Sequence, residues 1–402
     1  MHLNFIKNTV LLFVLTLLFC RNNASSGADS NSSVPPIVIG AQQTENYLSI
    51  LKNKKIGIVA NQTSIIFKPG GHTHLVDSLI RLNVNVLKVF APEHGFRGLA
   101  DAGEYVKDGV DAGSGIPIIS LYGVNKKPEA KHLKDLEVVI FDVQDVGARF
   151  YTFISTLHYM METCANLGIK LLVLDRPNPN GHYIDGPILD LNYSSFVGLH
   201  PVPIVHGMTM GEYAQMINGE GWLKGKKKCN LTVIPLQNYS HSTPYQLPIN
   251  PSPNLPNSKA INLYPSLCLF EGTNMSIGRG TETQFQVIGS PYLAGDFYDY
   301  EFIPKPNFGA KYPVHEGKKC KGLNLQNQDY LARIELKWLI DAYQNTSDKK
   351  VFFNSFFTKL AGHTKLQEKI ENNWTAEQIY DSWKSGLETF KTLRTPYLLY
   401  PL

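Results

Sequence analysis

Near-continuous apolar runs, each closing on a polar or glycine-rich stretch, recur along the first half of the chain. Residues 54–61 (KKIGIVAN), 85–95 (NVLKVFAPEHG), 116–123 (IPIISLYG), 136–147 (LEVVIFDVQDVG) and 169–179 (IKLLVLDRPNP) have this form and predict strands. Between them, residues 72–82 (HTHLVDSLIRL) and 152–168 (TFISTLHYMMETCANLG) place apolar positions at helical spacing, the second stopping on Gly168. Strands apolar on both faces and alternating with helices predict a parallel sheet covered on both sides. The expected fold class is therefore α/β: a Rossmann-like, doubly wound parallel sheet over residues 37–258.

The pattern loosens at residues 191–258. A helix is predicted over 207–223, with Thr209 near its start, and the proline-rich stretch 243–257 (TPYQLPINPSPNLPN) suits a boundary. Residues 259–402 read as a smaller α+β C-terminal domain. It contains a glycine-rich loop and a strand within 267–293, and amphipathic helices over 328–345 and 376–400.

In a doubly wound sheet, ligands bind beyond the carboxyl ends of the strands. Four polar groups follow predicted strands: Asn61 with Gln62 and Thr63; Glu93 with His94; Asp142 with Asp145; and Asp175 with Arg176. Parallel strands would bring all four to one rim. The segment 91–111 is the densest, holding Glu93, His94, Arg97 and Glu104 among glycines that let the backbone turn tightly. Glu93 directly follows VFAP. A partly desolvated carboxyl at a strand end can serve as a general acid. His94 can orient or protonate, or be a satisfied structural histidine. Asp142 can act as a base or stabilise positive charge, or simply pair with Arg149. Asp145 is equally readable as a helix cap. Asp175 and Arg176 suit polar ligand groups or an internal ion pair in a proline-stiffened loop. In residues 270–285, Glu271, Asn274, Arg279 and Thr281 suit a hydroxyl-rich, anionic ligand, because arginine can clamp a carboxylate. Tyr122, Phe150, Tyr151 and Phe285 are aromatics that sugars stack on, or core.

Composition narrows the classes. Of 402 residues, 43% are hydrophobic and 18% charged, which is globular, and a net charge of +4 is too mild to imply nucleic acid. GxGxxG, GxSxG and HExxH are absent, as is any CxxC zinc spacing, so neither a cofactor nor a metal is expected. Residues 10–19 form a short apolar run that predicts an export leader, followed by Cys20 and a polar tether. That order is the lipoprotein arrangement, in which membrane attachment would come only through a lipidated Cys20. Phe19 departs from the small residue such sites carry, and cleavage near Ala24 is the rival. Either way the mature chain is expected outside the cytoplasm, periplasmic, membrane-anchored or secreted. Cys164 and Cys268 read as buried thiols; Cys229 and Cys320 are the pair to test for a disulfide.

Taken together, APEHGFRG, DAGE, FDVQDVGARFYT, DRPNPNG and FEGTNMSIGRGTE resemble the exo-β-N-acetylmuramidase family, formerly a domain of unknown function (DUF1343). The likeness runs from about residue 45 to 400. It implies release of N-acetylmuramic acid from non-reducing ends of peptidoglycan fragments. It also implies a cleft between the two domains, Glu93 as catalytic acid, and Arg97, Arg149 and Arg279 as substrate contacts. Asp142 is then the candidate second carboxylate, unless the sugar's own acetamido group assists. The expected partner is a peptidoglycan-derived saccharide, not nucleic acid. A non-catalytic glycan-binding lipoprotein and a hydrolase of another amino sugar are the rivals.

Overall fold

Five successive buried residues, Ile56–Ala60 (β1), lie at the middle of the sheet that organises the molecule. The computed structural model describes residues 35–98, 104, 108–123, 125–295 and 298–402, so the leader and Cys20 lie outside the described residues. After β1 comes an antiparallel hairpin, Ile65–Lys68 (β2) and Gly71–His74 (β3). It corrects the helix expected over 72–82, which begins only at Leu75. Gly70 and Gly71, at φ +80° and +156°, turn the chain back on itself. His74 then caps the helix, its Nδ1 accepting from Val76 N at 3.3 Å.

The remaining strands of the main sheet are Val86–Ala91 (β4), Gly109–Val110 (β5), Pro117–Ser120 (β6), Val138–Asp142 (β7), Lys170–Leu174 (β8) and Leu231–Ile234 (β9). Their order is β5-β6-β4-β1-β7-β8-β9. Every neighbouring pair is parallel except β5 with β6. The chain steps outward from β1 through β4 to β6, then continues on the other side from β7 to β9. The order reverses between β1 and β7, as in Rossmann-type sheets. β9 was not visible in sequence: its four residues are mostly half-buried and follow a lysine run.

Helix Phe153–Leu167 is buried along most of its length and ends on Gly168 in the left-handed region, φ +69°. Helix Met210–Gly219 starts with a capping box between Thr209 and Glu212. Beyond it, helix Ser258–Leu267 leads to a second, antiparallel sheet of Val287–Ser290 (β10), Tyr300–Phe302 (β11) and Cys320–Asn324 (β12), in the order β10-β12-β11. Four helices follow: Lys337–Asn345, Phe357–Ala361, Lys365–Glu371 and Ala376–Arg394. The helix expected from residue 328 starts late because side chains elsewhere hold its approach extended. Leu331 N donates to Asn262 Oδ1, Ile334 N to Asp185 Oδ2 and Glu335 N to Ser266 Oγ.

One continuous core runs from Phe141 and Leu157 to Phe270, Phe357 and Trp383, and residues 36–402 form one compact unit. Each fully buried large side chain in it contributes roughly 1.5–3 kcal/mol. Cys164, Cys229, Cys268 and Cys320 are all buried free thiols, so no Cys229–Cys320 bridge forms. Both ends of the unit meet one segment. Val38 pairs with Gln237, Asn238 Nδ2 donates to Pro36 O, His241 N donates to Pro401 O, and Leu236 N donates to the Tyr400 hydroxyl.

Candidate active site

The turn after β4 delivers Glu93. Pro92 stiffens the exit, and His94 and Gly95 take consecutive left-handed conformations, φ +70° and +79°, that bend the chain sharply. Glu93 and His94 line a cavity of about 780 Å³, within the range of roughly 300–1,000 Å³ usual for small-molecule sites. Thr152 Oγ1 donates to Glu93 Oε2 at 2.7 Å. Thr152 is also the residue that opens helix Phe153–Leu167, so the carboxylate lies at a positive helix end. The Tyr122 hydroxyl donates to the same carboxylate; burial, together with that negative charge, raises the phenol's pKa.

A second acid lines the cavity from the C-terminal part. A 3₁₀ turn, Cys268–Gly272, presents Glu271, whose Oε1 accepts from Arg279 Nη2 at 2.5 Å and Nε at 3.1 Å. The guanidinium lies over the Phe285 ring, 5.1 Å from its centre. Burial disfavours this charge, but the Glu271 carboxylate outweighs burial and keeps Arg279 more basic than usual. Phe150, Tyr151 and Tyr264 form an aromatic wall of edge-to-face contacts, with centroids 5.5 and 5.6 Å apart. Lys311 also lines the cavity and pairs with Glu104 at 2.6 Å.

Of the residues singled out in sequence, the cavity gathers Glu93, His94, Glu104, Glu271 and Arg279 together with the four aromatics Tyr122, Phe150, Tyr151 and Phe285. The others lie outside its lining, each engaged elsewhere. Asp142 is fully buried, bound by Arg176 through Nε at 2.6 Å and Nη2 at 2.9 Å, and does not line the cavity that holds Glu93. Its partner is Arg176 rather than Arg149. Asn61 Oδ1 accepts from Thr63 at the end of β1. Asp175 accepts from Thr209, Gly211 and Tyr400, and burial pushes its pKa up to about 6. Asp145 accepts from Gly147 N at 2.7 Å, and burial pushes it up to about 7.

Arg149 is fully buried and donates to the carbonyls of Pro187, Val202, Leu360 and Ala361. It staples the sheet region to helix Phe357–Ala361 and does not line the cavity. Arg97 grips Asp111 at 2.8 Å and lies over Phe96. The Asn274 carbonyl accepts from His315 Nε2 at 2.6 Å if that nitrogen carries the proton, and Thr281 donates to Gly278 O. The Thr281 hydroxyl therefore serves the loop's own geometry, whereas the Asn274 contact is made by its backbone carbonyl. Sequence reasoning missed Thr152, Ser252, Tyr264, Lys311 and Tyr312 as lining residues. Most come from proline-rich or irregular segments without periodicity; Thr152 read only as the start of a helix. Among the described residues, no cluster of three or more His, Cys, Asp or Glu could hold a metal ion.

An aromatic wall, a carboxylate held by two hydroxyls and a second acid paired to arginine make up the equipment of a glycoside hydrolase on a Rossmann-like α/β frame. Comparison with known proteins refines this class. The profile for the N-terminal part of exo-β-N-acetylmuramidase NamZ matches residues 56–259, and that for its C-terminal part matches residues 262–400. The chain belongs to this family. It is 35% identical to peptidoglycan β-N-acetylmuramidase NamZ of Bacillus subtilis (strain 168), over 98% of this chain and 100% of that protein. Two crystal structures of DUF1343 family proteins from Bacteroides fragilis NCTC 9343 share the fold. One is 48% identical with a TM-score of 0.84, covering 91% of this chain and 99% of that one. The other is 28% identical with a TM-score of 0.78, covering 91% and 100%.

Proposed function

We infer that this chain is an exo-acting glycoside hydrolase that releases N-acetylmuramic acid from the non-reducing ends of peptidoglycan fragments, with Glu93 as general acid. The observation that carries the reading is the setting of Glu93. Its carboxylate lines the cavity and is held there by the hydroxyls of Thr152 and Tyr122. A hydroxyl can donate to a carboxylate or accept from a carboxylic acid. Thr152 and Tyr122 can thus hold the group in place on both sides of a proton transfer to the glycosidic oxygen.

The substrate's distinguishing group is its lactyl carboxylate. Glu271 occupies the Nε and Nη2 edge of Arg279. The Nη1 edge of that fork is the group proposed to take the lactyl carboxylate. With Asp142 locked away, Glu271 is the acid in position to act as the second carboxylate, or to orient an assisting acetamido group. Export fits a substrate located in the cell wall: residues 1–36 are proposed as leader and tether, with Cys20 the site of any lipid attachment.

The test is release of N-acetylmuramic acid from a chromogenic muramide and from wall fragments. Glu93→Gln should lower turnover by about 10²–10⁴-fold while binding of the free sugar persists. Full turnover in that variant would remove Glu93 from the chemistry. A wild-type protein that binds fragments but releases no sugar would be a glycan-binding protein instead, and one that prefers an N-acetylglucosaminide would lack the proposed carboxylate selectivity.

A further inference from the structure

Residues 309–314 line the same cavity as Glu93, yet Tyr312 is 91% exposed and Val314 50%. A large aromatic left in water at a cavity opening loses its apolar contact area unless a ligand covers it. The loop that carries it is fastened at several points. Asn307 and Ala310 exchange backbone hydrogen bonds at 3.1 Å, and Asn254 Nδ2 donates to Gly309 O at 2.6 Å. Lys305 N donates to Gly280 O, and Asn307 Nδ2 to Thr281 O, so the loop rests on the residues flanking Arg279. A Cβ on Gly280 would come within 2.7 Å of Pro313, which shows how closely the two segments approach. On the other side, Lys311 is bound to Glu104, from the segment that follows Glu93.

We propose that Tyr312 is the stacking platform for the sugar on the leaving-group side of the scissile bond. This rests on the saccharide reading of the cavity and deepens it by assigning a second subsite. A pyranose ring carries axial C–H groups on its faces, and a phenol carried on an anchored loop at the opening offers a matching flat surface. The loop backbone is anchored beside Arg279, so the residue that carries the platform is held at the opening and binding orders chiefly the tyrosine side chain itself.

Calorimetry on the Glu93→Gln protein separates the two subsites. It measures the dissociation constants of free N-acetylmuramic acid and of the disaccharide in which that sugar is β-linked to N-acetylglucosamine. Adding Tyr312→Ala should weaken the disaccharide by about tenfold, with the monosaccharide constant changing less than twofold, and Tyr312→Trp should restore disaccharide affinity. The unchanged monosaccharide constant also certifies that the variant is folded. An unchanged disaccharide constant, or equal weakening of both sugars, overturns the platform. Binding of neither sugar while Tyr312 is present overturns the saccharide reading as well, which distinguishes the two failures.

Discussion

Two acid–arginine pairs of the same chemistry serve opposite ends in this molecule. Asp142 and Arg176 join the carboxyl ends of β7 and β8, with side chains 0% and 3% exposed. Glu271 and Arg279 face the cavity, at 26% and 23%. The first pair lies where the sheet order reverses, the place where Rossmann-type sheets usually admit a ligand. Here that crevice is closed by its own polar groups: Arg176 also donates to Ile65 O, Ser64 donates to Asp142 O, and Thr63 Oγ1 accepts from Gln144 N. The cavity has instead moved one strand outward, to the exit of β4, where the C-terminal part supplies the opposite wall. Strand-end acids are therefore not interchangeable. The one whose hydrogen-bonding capacity is consumed by a buried partner specifies the fold, and the one held by hydroxyls in the cavity lining can do chemistry.

The strongest way to break this contrast is to cut each pair. Asp142→Asn leaves Arg176 buried without its counter-charge and should cost about 3–5 kcal/mol of stability, read by denaturant unfolding. The kcat of the protein that still folds should stay near wild type. A large loss of kcat with stability intact would put Asp142 back in the mechanism. Arg279→Ala, at the partly buried pair, should cost less than cutting the fully buried one, about 1–3 kcal/mol in stability. Its effect should fall on substrate: KM for a muramide rises by about tenfold or more, with little change for the corresponding N-acetylglucosaminide. Equal effects on both sugars would show that Arg279 does not read the lactyl group.

A finer test uses Asp145, whose pKa burial raises to about 7. The unfolded group titrates near 3.9. Between these values the folded state holds a proton that the unfolded state has released. Stability contributed by the protonated form is thus full below about pH 4 and is lost as pH rises through about 7. Asp145→Asn should flatten this decline over pH 4–7 in thermal unfolding. An unaltered slope would mean that another group carries it.

The main strands and the long helix Phe153–Leu167 were legible because burial on every residue, or at helical spacing, leaves a periodic trace. So did Glu93, placed by a strand and its exit. The hairpin β2–β3 was misread since PGG punctuation outweighs the helical spacing on either side of it only once the turn is seen. Asp142, Arg149, Asp175 and Arg176 looked like a rim because polar residues after strands look alike in sequence. What separates them is the partner: a carbonyl cage for Arg149, an arginine for Asp142, a tyrosine two residues from the chain's end for Asp175. Such pairings span up to 225 positions, and no local pattern encodes them. Phe150 and Tyr151 of the aromatic wall were named from sequence, whereas Tyr264 and the Lys311 loop were missed for the same reason.

The short stretch between β9 and His241 clasps the entry to the folded unit and its last residues at once. Half of that clasp joins segments 202 residues apart and the other half 164, so this flank of the sheet is latched only by chain that lies far away in sequence.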